Sequence, residues 1–88
     1  SHSHIGHDVK IGDYSIIGPG VMVSGYASIG NECILGAGVQ VNNKNIGKNC
    51  IIQSGSVVLS HISAGMYAAG NPCKEICAAE LVYNIKMN

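Results

Sequence analysis

The sequence predicts an all-β protein, a parallel β-helix of about three coils followed by a short C-terminal α-helix. Three observations carry that expectation. An aliphatic residue returns every six positions, a glycine commonly follows it, and the chain has 12 Gly but neither Phe nor Trp. A helical period of 3.6 cannot produce such spacing, whereas a hexapeptide period gives one short strand and one turn per unit, three units closing a triangular coil.

The units are legible in order. IGHDVK, IGDYSI, IGPGVM, VSGYAS, IGNECI and LGAGVQ cover residues 5–40; the five-residue VNNKN follows; IGKNCI, IQSGSV and VLSHIS then reach residue 63. Residues eighteen apart should stack at the inter-strand spacing of ~4.8 Å. That stacking predicts three interior ladders: Ile5, Val23, Val41 and Val58; Ile11, Ile29 and Ile46; Ile17, Leu35 and Ile52. Each buried aliphatic contributes ~1.5–3 kcal/mol, so a core without large aromatics is feasible. Glycine at the second position suits a tight corner. In VNNKN, Asn42, Asn43 and Asn45 tolerate left-handed backbone, and Ile46-Gly47 restores the register.

The fifth positions are small or β-branched, and Ser15, Cys33 and Cys50 fall on one interior ladder, where the two cysteines read as small core residues. After residue 63 the pattern ends. Gly70-Asn71-Pro72 reads as a turn, and Ile76, Leu81, Val82 and Ile85 have near-helical spacing over residues 74–86. We therefore expect one domain, with a β-helix at 1–63 and a closing loop and helix at 64–88. The helix would cap the prism or pack on a neighbouring chain.

Composition removes several functional classes. Five Lys+Arg balance five Asp+Glu among 88 residues, so no basic field invites a nucleic acid or an anionic membrane. No apolar run approaches the ~20 residues of a membrane span, and no signal peptide opens the chain, so a cytoplasmic location is the default. Cys33, Cys50, Cys73 and Cys77 have no paired CxxC spacing, which argues for reduced thiols over a zinc ribbon or a disulfide framework. The chain opens inside a repeat, which suggests a preceding region. So small a domain also makes oligomerisation a fair expectation.

Repeated Ile-Gly-x4, "GHD" before "IGDYSIIGPG", "SGYASIGNECILGAG" and "AGNPCKEI" together resemble the hexapeptide-repeat acyltransferases. Within that superfamily the likeness is greatest to sugar O- and N-acetyltransferases of the sialic acid O-acetyltransferase (NeuD) and PglD type, over residues 4 to about 76. The resemblance implies a left-handed β-helix, a homotrimer with active sites between subunits, acetyl-CoA as co-substrate, no metal, and a sugar or nucleotide-sugar acceptor. Members of this subgroup commonly carry an N-terminal nucleotide-binding region, which these residues do not contain.

Acetyl transfer to an amine or hydroxyl needs a base for the attacking group, and a histidine near neutrality is the usual one. His7 and Asp8 occupy the third and fourth positions of their hexad, at a corner that points away from the core. By resemblance His7 matches the catalytic base and Asp8 its acidic neighbour; the alternative is a pair of ordinary turn residues. The resemblance further matches Gly25 to a backbone oxyanion donor and Ser54 to a position near the thioester. Gly70, Asn71 and Pro72 match backbone beside coenzyme A, and Lys74 matches a cation near its phosphates. Ile16 departs from the pattern, since relatives often have a second histidine there. His2, His4 and His61 have no evident chemistry.

Two other readings compete. The chain could be a trimerisation module without catalysis. Alternatively, His2-x4-His7 matches a two-histidine spacing of γ-class carbonic anhydrases, although a third zinc ligand would have to come from upstream.

Overall fold

The computed structural model describes residues 3–82. Its strands run in order β1 (His4–Ile5), β2 (Lys10–Ile11), β3 (Ile16–Ile17), β4 (Met22–Ser24), β5 (Ser28–Ile29) and β6 (Ile34–Leu35). The second half continues with β7 (Gln40–Asn42), β8 (Asn45–Ile46), β9 (Ile51–Ile52), β10 (Val57–Val58), β11 (Met66–Gly70) and β12 (Cys73–Ala78). Every third strand returns to the same face. The first face is β1-β4-β7-β10, the second β2-β5-β8, and the third β3-β6-β9-β11-β12. All neighbours are parallel except β11 and β12.

The expected ladders are present. Ile5 pairs with Val23, Val23 with Val41 and Val41 with Val58; Ile11 pairs with Ile29 and Ile29 with Ile46; Ile17 pairs with Leu35 and Leu35 with Ile52. Residues in the middle coils are sealed, with Val23, Val41, Leu35 and Ile52 all buried. Ile5, in the first described coil, is 42% exposed. The missing residue of VNNKN is absorbed at Asn43, whose φ of 56° lies in the left-handed region.

The corners divide their two demands between two positions. Left-handed backbone falls mostly at the fourth residue of a hexad, as at Asp8, Tyr14, Gly20, Glu32, Gly38, Asn49 and Gly55. The second-position glycine instead admits close approach between coils. A Cβ on Gly30 would sit 2.5 Å from the Lys48 nitrogen, and one on Gly47 2.5 Å from the Ala64 nitrogen.

The repeat extends beyond residue 63, contrary to the sequence expectation. Ile62-Ser63-Ala64-Gly65-Met66-Tyr67 is another hexad: Ile62 bridges Ile46, Gly65 has φ 74°, and Ala68 pairs with Ile52 on the third face. The unit before it, residues 58–61, is two residues short, which hides the register. Asn45 recovers a partner there, its N–H donating to His61 Nδ1 at 2.9 Å.

The expected helix over 74–86 is also corrected in part. β12 occupies Cys73–Ala78 and folds back on β11 through the turn at Gly70-Asn71-Pro72. Without it β11 would present a row of unpaired backbone groups, and this need outweighs the near-helical spacing. Glu75 adds a clamp, its carboxylate accepting the Ser63 N–H at 2.7 Å. Helical residues begin at 79 and continue to 82, starting where the Ala79 N–H donates to the Gly65 carbonyl at 2.8 Å. Ile85 lies outside the described residues.

Cys33 and Cys50 are buried free thiols on the Ser15 ladder, as expected. Their Sγ atoms donate to the Gly47 carbonyl at 3.1 Å and the Ser63 carbonyl at 3.0 Å. Ser15 Oγ donates to the Gly30 carbonyl and accepts the Cys33 N–H. The neighbouring Cys50 thiol, together with burial, holds the Cys33 thiol far above its ordinary range. Burial also raises the pKa of Cys73, partly opposed by Ser56.

Candidate functional site

His7 and Asp8 form the turn between the first and second faces, and both are exposed. Asp8 has φ 61°, a conformation that aspartate tolerates because its short polar side chain can hydrogen-bond locally. The register of β1 on β4 puts Gly25 and Tyr26 directly one coil along at the same corner. Asn43 follows Gly25 in the next coil. This column differs from the other corners. Its second turn takes the left-handed conformation at the third residue, Gly25 with φ 67°, and not at the fourth.

The shift changes the hydrogen bonding between turns. At the second-to-third corner, Glu32 N–H donates to Asp13, Asn49 to Asn31 and Gly65 to Lys48. At the third-to-first corner, Gly38 donates to Pro19 and Gly55 to Ala37, and in the His7 column Asn43 donates to Ser24. The step from His7-Asp8 to Gly25-Tyr26 has no such backbone bond. Mismatched turns therefore leave the Gly25 N–H unpaired with the coil below, next to His7. Backbone donors of this kind, fixed by the fold, are suited to stabilising negative charge.

The remaining expected residues lie at another edge. Ser54 is in the third-to-first corner, where its Oγ accepts the Ala37 N–H at 3.1 Å. Gly70, Asn71 and Pro72 make the nearby hairpin turn, with the Gly70 N–H donating to Ser56 Oγ at 3.1 Å. Lys74 is exposed on β12, opposite Ala69. One chain thus brings together His7, Asp8 and Gly25 at one edge, and Ser54 with residues 70–74 at a second.

The first face lies between these two edges; the outer surface of the third face, on the other side of the Ser54 corner, carries features that the repeat-based reading missed. Its outward residues Ile16, Ile34, Ile51 and Tyr67 stand in register. The corresponding positions are Lys10, Ser28 and Asn45 on the second face. A cleft of about 560 Å³ lies along the isoleucines, with Tyr14, Glu32, Asn49 and Glu80 also lining it. A smaller one of about 210 Å³ reaches Ser54 and Tyr67. Ile16 is 61% exposed in the larger cleft, which contains neither His7 nor Gly25. The signal was available: three isoleucines recur at the sixth position of hexads on one face only.

His2 lies outside the described residues, and no group of three His, Cys, Asp or Glu converges among the residues that are described. No helix among them is long and apolar enough to cross a membrane.

A triangular coil, hexapeptide periodicity and an exposed histidine at a corner define a hexapeptide-repeat β-helix. Residues 1–25 match the family "Bacterial transferase hexapeptide (six repeats)", and the same hexapeptide repeat continues through the later coils. The chain is 33% identical over 79 residues to the bifunctional protein GlmU of Listeria welshimeri, an alignment covering 85% of this chain and 17% of that protein. A perosamine N-acetyltransferase from Caulobacter crescentus, solved with CoA and GDP-perosamine, superposes with a TM-score of 0.81 at 27% identity, covering 84% of this chain and 36% of that one. A galactoside acetyltransferase in complex with coenzyme A gives a TM-score of 0.78 at 30% identity, covering 90% of this chain and 56% of that one. The fold is thus the left-handed β-helix of the hexapeptide-repeat acetyltransferases. The chain spans about a sixth of the GlmU length.

Proposed function

We propose that this chain forms the acetyl-transfer unit of an acetyl-CoA-dependent O- or N-acetyltransferase acting on a sugar or nucleotide sugar, with no metal. The observation that carries the reading is the pairing of exposed His7 with a Gly25 N–H left without a coil-to-coil partner. Likeness to acetyltransferases solved with CoA supports the chemistry. A cytoplasmic location accords with acetyl-CoA as donor.

In this mechanism, His7 takes the proton of the acceptor hydroxyl or amine as that group attacks the thioester carbonyl. Negative charge grows on the carbonyl oxygen and is met by the Gly25 N–H. Collapse breaks the C–S bond, and the imidazolium returns its proton to the coenzyme A thiolate. Asp8 stabilises the imidazolium. Gly70, Asn71 and Pro72 line the pantetheine arm, Ser54 sits near the thioester, and Lys74 pairs with a phosphate.

A homotrimer completes the site, because its two halves lie on different edges of one chain. Side-by-side packing sets the His7 edge of one chain against the Ser54 and Lys74 edge of the next. The apolar column Ile16, Ile34 and Ile51 on the third face, which the Ser54 corner borders, favours such packing over an exposed surface.

The test is coenzyme A release from acetyl-CoA with amino and hydroxy sugars, free and nucleotide-linked, alongside sedimentation of the protein. Release with at least one sugar by a trimeric species supports the reading. A trimer that binds no acetyl-CoA would leave an assembly module as the better account.

A further inference from the structure

We propose that Tyr26 is an acceptor-binding residue whose ring stacks on the apolar C–H face of a pyranose and holds it at His7. This rests on the acetyltransferase reading above and names a contact for its acceptor. Three features of the molecule carry it.

The first is position. Tyr26 follows Gly25 in the same turn and stands one coil from Asp8, so its ring roots ~5 Å along the axis from the His7 turn. The second is exposure. Tyr26 is 74% exposed, in a chain whose only aromatics are four tyrosines, and its hydroxyl makes no hydrogen bond within the described residues. Its removal therefore costs the fold little. The third is the turn itself. Gly25 takes the left-handed conformation that the fourth residue bears in most other hexads, so Tyr26 presents a bulky side chain without that penalty. Tyr14, the other strongly exposed tyrosine among the described residues, bears the penalty at φ 60° and belongs to a different corner.

The chemistry fits a sugar better than the thioester. A pyranose has one face of C–H groups and a rim of hydroxyls, and tyrosine offers a π face for the former and a phenol for the latter. Coenzyme A is assigned to the opposite edge, with Ser54 and Lys74. Loss of the ring should therefore weaken the acceptor and leave the donor unchanged.

The experiment compares wild type, Tyr26→Phe and Tyr26→Ala. Saturation-transfer NMR from the aromatic protons to methyl glucosaminide and methyl galactoside is measured together with acetyl-CoA binding and, where turnover occurs, KM for each substrate. Wild type and Tyr26→Phe should transfer magnetisation to the sugar C–H protons, and Tyr26→Ala should not. The acceptor KM of Tyr26→Ala should rise about tenfold with the acetyl-CoA KM unchanged. An unchanged acceptor KM in Tyr26→Ala, or no transfer to either sugar in wild type, overturns the proposal while leaving the transferase reading standing. Transfer that depends on Tyr26 in a protein with no turnover would support the contact and count against the transferase.

Discussion

Replacing Gly30 by alanine should destabilise the coil severely, whereas Gly6→Ala, at the same hexad position, should be tolerated. A Cβ on Gly30 would stand 2.5 Å from the Lys48 nitrogen, 2.7 Å from its Cα and 2.9 Å from the Gly47 carbonyl carbon. Ordinary contacts lie at ~3.5–4.0 Å, so the methyl falls about an ångström inside the next coil. That coil cannot give way easily, because the Gly30 N–H is bonded to the Ile46 carbonyl at 2.8 Å and the ladder pairs on both sides are in register. Overpacking of this kind costs ~1–3 kcal/mol, and rigid backbone on both sides puts Gly30→Ala at the upper end. At Gly6 the nearest atoms are the Val23 carbonyl oxygen at 3.4 Å and the Ser24 Cα at 3.5 Å, because the turn above is the shifted one at Gly25. Alanine there restricts the unfolded chain and should change stability by less than ~1 kcal/mol. Thermal denaturation at one protein concentration distinguishes the two, with a fall of more than about 10 °C expected only for Gly30→Ala. Equal effects at both positions would refute the claim that the two turn types set different coil spacings.

Ser15→Ala should cost ~1–2 kcal/mol in urea denaturation, since it removes a hydroxyl bonded to the Gly30 carbonyl and leaves the Cys33 N–H without its partner. Burial raises the pKa of Cys73 above the ordinary 9.0, so it favours the fold while both states keep the proton. That contribution is intact below about pH 9 and is lost as pH rises above it, which a melting series into the alkaline range should record as falling stability. In native protein, iodoacetamide should modify half-buried Cys77 ahead of buried Cys33, Cys50 and Cys73, read by peptide mass analysis.

The interior was legible in the sequence because a coil repeats its side-chain environments every eighteen residues. Ile5, Val23 and Val41 could be placed on one ladder without coordinates for that reason. Two features escaped. The hexad at Ile62 was masked by a preceding unit two residues short, and β12 was hidden because Ile76, Leu81 and Val82 imitate helical spacing. Pairing the open edge of β11 decides that segment, and edge satisfaction is a tertiary demand with no local pattern. The His7-Asp8 corner could be located from hexad positions, but the unpaired Gly25 N–H could not. It depends on two successive turns taking left-handed backbone at different positions, which only the stacked coils reveal. The cleft over Ile16, Ile34 and Ile51 needed the outward residues of one face to be compared with those of the other two.

The most direct measurement is acetyl-CoA binding by calorimetry on wild type and His7→Ala, followed by coenzyme A release with the sugar panel. A general base typically contributes ~10²–10⁴ in rate, and His7 is exposed and outside the core. The account predicts equal binding and equal melting temperatures, with release reduced at least about a hundredfold in the variant. Turnover by His7→Ala at the wild-type rate would contradict it.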